Sequence, residues 1–103
     1  METIYSLEFE KWIRNLKDKL AKTNILRKIE NIEKNGNLGD FKNLGGKLCE
    51  MRFHISKGYR VYFSMINGKL IILLNGGDKS TQDRDIEKAR QILQDYLKGA
   101  NNE

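Results

Sequence analysis

Two segments in the middle of the chain alternate apolar side chains with side chains that can carry out chemistry. The second group is Glu50, Arg52, His54, Arg60 and Tyr62. Alternate residues of a β-strand lie on opposite faces, so this group is predicted to share one face of a hairpin, away from the core. That face would gather two guanidinium groups, a carboxylate, an imidazole and a phenol.

This combination suits the cleavage of a phosphodiester. Arg52 and Arg60 can hold a phosphate and stabilise the extra charge of its pentacovalent transition state. Attack by a ribose 2′-hydroxyl further requires a base and an acid, for which Glu50, His54 and Tyr62 are candidates. The chemistry needs no metal or other cofactor, and the single cysteine, Cys49, gives no cysteine pair that would suggest a zinc site.

The same residues also fit ordinary structural roles. Charged side chains that alternate along a strand are typical of a solvated face, and Arg–Tyr or His–Arg pairs are common across strands. Gly76 and Gly77 fit a simple bend, because no phosphate-binding loop pattern surrounds them. Lysines and arginines on the N-terminal third fit either a polyanion-binding surface or a solvated helix. The residues alone leave these alternatives open.

Turn-forming residues predict how the strands pair. If Ser56–Gly58 is a three-residue connection, Arg52 faces Tyr62 and His54 faces Arg60, with all apolar residues on the other side. Asn67 and Gly68 are a strong signal for a two-residue hairpin turn.

Beyond that turn, residues 69–74 read KLIILL, which is apolar on both faces and indicates an interior strand. Counting across the turn sets Arg60 opposite Asn75. The three strands therefore form an antiparallel meander, and Lys79 follows just past the end at which Arg60 and His54 lie.

The flanking segments are predicted to be a short strand and helices. A strand is expected at Thr3–Leu7, followed by an amphipathic helix from Glu8 to about Leu20. A second helix begins after Thr23 or Asn24 and ends at Asn35–Gly36. Ser80 or Thr81 caps a final helix, and the tail is expected to fray from about Gly99. The two early helices form a hairpin that packs on the sheet.

The composition is that of a small basic protein. The chain has 103 residues and a formal net charge of +5, which favours one domain over residues 1–103 and a polyanionic or acidic partner. The N-terminal segment carries charges where a signal peptide needs an apolar run, and no apolar stretch approaches membrane-spanning length. We therefore expect a cytosolic protein with no membrane association.

Four segments together resemble the RelE/ParE toxin superfamily, and more closely its HigB-like branch, often labelled phage-derived or addiction-module killer proteins. They are GNLGDFK at 36–42, the ExR at Glu50 and Arg52, YRVYF at 59–63 and GGDKSTQ at 76–82. The resemblance extends from about Phe9 to Ala89. It implies a compact α+β fold with a short N-terminal strand, a helical hairpin, a three-stranded antiparallel meander and a C-terminal helix.

The resemblance also implies a function. Such proteins are toxins of type II toxin–antitoxin pairs that usually cleave mRNA on the ribosome and are neutralised by a helix-turn-helix antitoxin, which alone contacts DNA. The matching residues are Arg52, Arg60 and Lys79, with Glu50 and Tyr62 as companions and His54 or Glu50 as base or acid. Two alternatives remain: a gyrase-binding toxin without enzymatic activity, and a co-repressor that acts only with its antitoxin.

Overall fold

A computed structural model describes the backbone of residues 1–101 and the side chains of residues 1–99. The elements in chain order are β1 (Glu2–Tyr5), α1 (Leu7–Asn15), α2 (Lys19–Asn35), β2 (Lys42–Gly45), β3 (Leu48–Phe53), β4 (Tyr59–Ile66), β5 (Leu70–Gly77) and α3 (Gln82–Asn101). A 3₁₀ turn at Lys79–Thr81 precedes α3. None of the helices within this range combines the length and apolarity needed to cross a membrane.

The strands form one sheet in the order β1-β5-β4-β3-β2. β2 to β5 are antiparallel neighbours, and β1 pairs with β5 in parallel. The predicted α+β fold is confirmed, and β5 is an interior strand as its two apolar faces indicate. The prediction missed β2, whose sequence KNLG has little strand propensity and forms a strand only through its pairing with β3.

Helices cover both faces of the sheet and create two cores. On one face, α1 and α2 place Phe9, Ile25 and Ile29 against Val61 and Phe63. On the other face, α3 packs its apolar side chains on the sheet, with Ala89, Ile92 and Leu93 against Leu48, Tyr62 and Leu74. The face of the β3–β4 hairpin predicted to be free of the core is therefore partly covered by the last helix.

The predicted register of the β3–β4 hairpin is wrong by two residues. Arg52 lies opposite Arg60, and Glu50 lies opposite Tyr62. The connection is longer than expected because β3 ends at Phe53, and residues 54–58 form the turn, in which Ser56 and Gly58 have positive φ. A shift of two keeps every side chain on its predicted face, since the strand period is two.

The β4–β5 hairpin also differs from its prediction. Ile66 pairs with Leu70 across a three-residue connection, and Leu74 is an extra residue between the Tyr62–Asn75 and Phe63–Leu73 pairs. These two additions bring Gly77 opposite Arg60, in place of Asn75. The longer connection alone shifts the register by one residue, which exchanges the faces of residues 70–73, and the bulge adds a second shift that restores the predicted faces from Asn75 onward.

Four predicted element boundaries are also corrected. β1 ends at Tyr5 because Ser6 caps α1, its hydroxyl accepting from the Phe9 N–H at 3.0 Å. The helical hairpin breaks at residues 16–18, earlier than expected, because Asp18 caps α2. Asp78, and neither Ser80 nor Thr81, caps the turn before α3. The last helix continues to Asn101, so part of the tail expected to fray from Gly99 is helical, and residues 102–103 lie outside the described range.

Candidate phosphate-binding site

The centre of the site is a pair of like charges. Arg52 on β3 and Arg60 on β4 are direct cross-strand partners. Like charges in that position destabilise a sheet unless another group compensates them. Arg60 is also buried, at 8% exposure, which raises the cost of its charge further.

The compensating group is Glu50, whose side chain is completely buried. Arg52 donates from Nε to Oε1 of Glu50 at 2.7 Å, and Nε of Arg60 lies 3.8 Å from Oε2. Gln82, the first residue of α3, donates from Nε2 to Oε2 at 3.0 Å. One carboxylate thus serves two guanidinium groups, and the cluster retains a net positive charge.

The charge state of Glu50 follows from these contacts. Burial alone would raise its pKa, but the hydrogen bonds from Arg52 and Gln82, with the charges of Arg52 and Arg60, outweigh burial and hold the pKa below its ordinary value. Glu50 is therefore ionised at neutral pH, and both of its oxygens are occupied. Such a carboxylate is suited to fixing the arginines and poorly suited to accepting a proton.

Tyr62 lies opposite Glu50 and is fully buried beneath α3. Burial, followed by the nearby carboxylates of Glu50 and Asp85, raises the pKa of its hydroxyl far above the ordinary value. The hydroxyl remains protonated, and no described group meets hydrogen-bond geometry with it. The structure places Tyr62 in the second core, away from any open surface.

The other four predicted residues line one open cleft of about 410 Å³, which we call the phosphate cleft: Arg52, His54, Arg60 and Lys79. His54 is exposed and lies in the turn after β3, no longer opposite Arg60. Lys79 reaches the cleft because its N–H donates to the carbonyl of Lys57 at 3.4 Å. Residues from three separate parts of the chain therefore meet at one end of the sheet.

Gly58 fits between the two cations of this cleft. A Cβ atom added there would lie 3.7 Å from Nη1 of Arg60 and 3.7 Å from Cβ of Lys79, and its φ is +71°. The carbonyl of Gly58 also accepts from Nη1 of Arg60 at 2.9 Å. The turn thus orients the Arg60 guanidinium directly.

Sequence reasoning missed two residues of the site. Gln82 stands out in the sequence only as part of the GGDKSTQ segment, because a helical residue does not share the strand periodicity of the other site residues. The sequence predicts only a turn position for Lys57, and the structure shows that it also lines the phosphate cleft. Its position between two turn-forming residues was the only available signal.

The arrangement can bind a tetrahedral anion. Two guanidinium groups held on adjacent strands present fixed N–H donors, and lysine ammonium groups add charge without fixed direction. The imidazole of His54 beside them can accept or donate a proton. Each of these groups comes from the β3–β4 hairpin or from the turn after β5.

Comparisons with known proteins identify a family and a sequence relative. Residues 11–94 match the family described as phage derived protein Gp49-like. An uncharacterized protein of Haemophilus influenzae is 43% identical over 90 residues, which cover 87% of this chain and 90% of that protein.

Two solved structures have the same fold at low sequence identity. E. coli toxin RelE, as a double mutant in the free state, gives a TM-score of 0.67 at 15% identity, covering 87% of this chain and 94% of that one. The intact E. coli RelBE toxin–antitoxin complex gives 0.61 at 16% identity, covering 75% and 94%. The chain belongs to the phage-derived Gp49-like family, within the RelE toxin superfamily.

Proposed function

We propose that this protein is the toxin of a type II toxin–antitoxin system and cleaves mRNA on the ribosome. The observation that carries the proposal is the unequal charge of the cluster: Arg52 and Arg60 share the one carboxylate of Glu50 beside an open cleft. Maintaining a cross-strand arginine pair is costly for stability alone. A phosphodiester would supply the missing negative charge.

The proposed reaction is attack of a ribose 2′-oxygen on the adjacent phosphorus. The new P–O2′ bond forms as the P–O5′ bond breaks, leaving a 2′,3′-cyclic phosphate and a 5′-hydroxyl. Arg52 and Arg60 bind the non-bridging oxygens, and Lys79 adds charge as the phosphorane develops. A proton leaves the 2′-hydroxyl and another reaches the departing 5′-oxygen, and no metal or other cofactor is required.

We assign proton transfer to His54, which is the exposed imidazole in the phosphate cleft. Glu50 instead fixes the two guanidinium groups, because its oxygens are engaged by Arg52 and Gln82. Tyr62 supports the site from the core. These roles leave His54 as the proposed acid or base, whereas the sequence offered Glu50, His54 and Tyr62.

The proposed partners are a cognate antitoxin of the helix-turn-helix type, the ribosome and mRNA, with DNA reached only through the antitoxin. The similarity in fold to a toxin within the RelBE toxin–antitoxin complex supports the antitoxin. The proposed location is the cytoplasm, where the ribosomes are, without membrane association.

Primer-extension mapping of mRNA ends after brief induction tests the proposal. We expect new cuts in the reading frame that depend on translation and are absent with Arg60→Ala. DNA breaks trapped on gyrase, without mRNA cuts, would instead identify a gyrase-directed toxin. Growth arrest without mRNA cuts and without trapped DNA breaks would show that the phosphate cleft does not carry out the proposed reaction.

A further inference from the structure

A second and larger cleft adjoins the phosphate cleft. It has a volume of about 930 Å³ and lies between α1, the 16–18 linker, the end of β5 and the start of α3. We call it the indole cleft, after Trp12 on its wall. Lys57 and Tyr59 line both clefts. A linear polymer bound in one cleft can therefore continue into the other along the protein surface.

Trp12, on the aromatic wall of the indole cleft, packs directly against Gly76. Trp12 is half-buried, and its ring lies so close to Gly76 that an added Cβ would be 2.4 Å from Cζ3. The ring centroids of Trp12 and Tyr59 are 6.5 Å apart. Trp12 thus packs on the core with part of its surface while still lining the cleft, an arrangement suited to stacking a base.

The positive charges of this cleft are available to a ligand. They are Lys11, Lys17, Lys57, Arg84 and Lys88. Among the residues that the structure describes, none of these five side chains forms an ion pair. Two of them, Arg84 and Lys88, are four residues apart on α3, and so lie on one side of the helix.

Most carboxylates of the cleft are already engaged by the protein. Asp18 accepts from the Ala21 N–H at 3.1 Å, and Asp78 accepts from the Ser80 N–H at 2.8 Å. Asp85 accepts from the hydroxyl of Thr81. Glu8 is the remaining carboxylate. These hydrogen bonds hold the carboxylates in place without neutralising them, so the five cationic side chains of the cleft exceed its four carboxylates by one charge.

We propose that the indole cleft binds the single-stranded RNA adjacent to the scissile phosphate, with one base stacked on Trp12 and phosphates held by Arg84 and Lys88. Aromatic platforms beside lysines and arginines are the usual means of binding single strands with little sequence preference. The inference rests on the proposed function, because it gives the same substrate a second binding site. It also predicts that the protein binds single-stranded RNA that it cannot cleave.

The test uses the only tryptophan of the chain as a reporter. Purified wild-type protein is titrated with a short single-stranded 2′-O-methyl RNA, which cannot be cleaved because its 2′-oxygens are blocked. Stacking of a base on Trp12 is expected to quench the fluorescence. Matched double-stranded RNA, whose bases are not free to stack, is expected to quench little.

Charge variants on one helix supply the control. Lys88→Glu is expected to weaken binding roughly tenfold, since it removes a charged phosphate contact. Lys98→Glu makes the same charge change at an exposed site of α3 outside the cleft, and is expected to bind as wild type does. Both variants retain Trp12, so the same signal reports both affinities.

A labelled RNA measures binding when the reporter is removed. By fluorescence anisotropy, Trp12→Ala is expected to weaken binding by roughly 5- to 150-fold, the usual range for the loss of one stacked base. Trp12→Phe, which keeps a smaller ring and its packing, is expected to lose less. Thermal unfolding of each variant identifies any loss that reflects the fold.

The outcomes separate this inference from the proposed function. If wild-type protein is not quenched, or Lys88→Glu and Lys98→Glu bind equally, the indole cleft does not bind RNA, whether or not mRNA is cut. If quenching and its charge dependence are observed but no mRNA is cut in cells, the indole cleft stands as an RNA site and the proposed cleavage fails.

Discussion

Gln82 and Glu50 join the last helix to the β3–β4 hairpin by a hydrogen bond of 3.0 Å. Glu50 in turn holds Arg52 at 2.7 Å and faces Arg60 at 3.8 Å. The position of α3 is thereby coupled to the orientation of both guanidinium groups. Gln82 does not line the phosphate cleft, yet we expect it to affect which ligands the cleft binds.

Gln82→Ala tests this coupling. It removes one of the hydrogen bonds accepted by a buried carboxylate, and we expect a loss of about 1–3 kcal/mol in the free energy of unfolding, measured in urea. mRNA cleavage should fall as well, because the arginines lose their fixed orientation. Gln91→Ala, at an exposed position of the same helix, should change stability by less than about 0.5 kcal/mol. Equal stabilities for the two variants would contradict the coupling.

Arg60→Ala separates catalysis from folding. We expect cleavage to fall by about 10²–10³, the usual cost of losing one transition-state donor, while thermal unfolding shows that the variant still folds. Arg60→Lys should recover only part of the rate, since an ammonium cannot present two N–H groups in one plane. Cleavage is measured on translating ribosomes with purified protein.

Phe63→Ala is the contrasting variant for that experiment. Phe63 is fully buried in the first core, so its truncation should cost roughly 3–5 kcal/mol of stability and reduce soluble protein along with activity. A toxin that keeps full activity after both Arg60→Ala and Arg52→Ala would show that the hairpin face is only a solvated or packing surface.

Glu50 predicts how stability depends on pH. Its pKa is lowered in the folded protein, so its contribution is fully present above the ordinary unfolded value of about 4.3 and is lost as pH falls through the folded value. Wild-type stability should therefore fall more steeply than that of Glu50→Gln as the pH drops below about 4.3. Urea unfolding at several pH values measures the difference. Parallel curves would show that Glu50 is not held ionised by the arginines.

Two glycines, Gly77 at the end of β5 and Gly99 in α3, predict opposite effects of substitution by alanine. A Cβ on Gly77 would lie within bonding distance of the Asp85 carboxylate, so Gly77→Ala should destabilise by about 1–3 kcal/mol. Gly99→Ala lies in α3 with open space around it and should stabilise by up to about 1 kcal/mol. Melting temperatures compare the two, and a neutral Gly77→Ala would contradict the close packing.

The proposed antitoxin is expected to cover the positive surface of the phosphate cleft. Its covering segment should be acidic or of mixed charge, because desolvated contacts to arginine give both inhibition and fast association. Hydrogen exchange of the complex should show protection around His54 and Lys79. Protection restricted to α1 and α2 would rule out direct blocking, and inhibition would then arise from exclusion of the ribosome.

The faces of the strands were predictable from sequence, but the exact pairs were not. Alternation assigns Arg52 and Arg60 to one face, and a register shift of two residues, as observed in this hairpin, keeps that assignment. The five-residue turn and the bulge at Leu74 depend on positive φ values and on pairing that no short pattern encodes. A clustered polar face was thus predictable, whereas the Arg52–Arg60 pair was not.

Contacts between distant elements account for the other features of the fold and the site that could not be predicted from sequence. The helix pattern of Leu16 and Leu20 continues across residues 16–18, but Asp18 caps a new helix there and Leu20 is left 62% exposed. Burial of Glu50 and Tyr62 follows from the docking of α3 and has no local signal. Sequence reasoning found the charged residues and could not tell which of them α3 would cover.

The parallel pairing of β1 with β5 has a consequence for the order of assembly. Ser6 bonds to the carbonyl of Leu74, a partner 68 residues later in the chain. Closing so long a segment is entropically costly, and contacts of this range are slow to form. During synthesis, β4 has an open edge until residues 70–77 emerge, and Lys79 and Gln82 follow only afterwards. A nascent chain therefore cannot complete the phosphate cleft, so a toxin of this architecture becomes competent only when nearly all of it has been made.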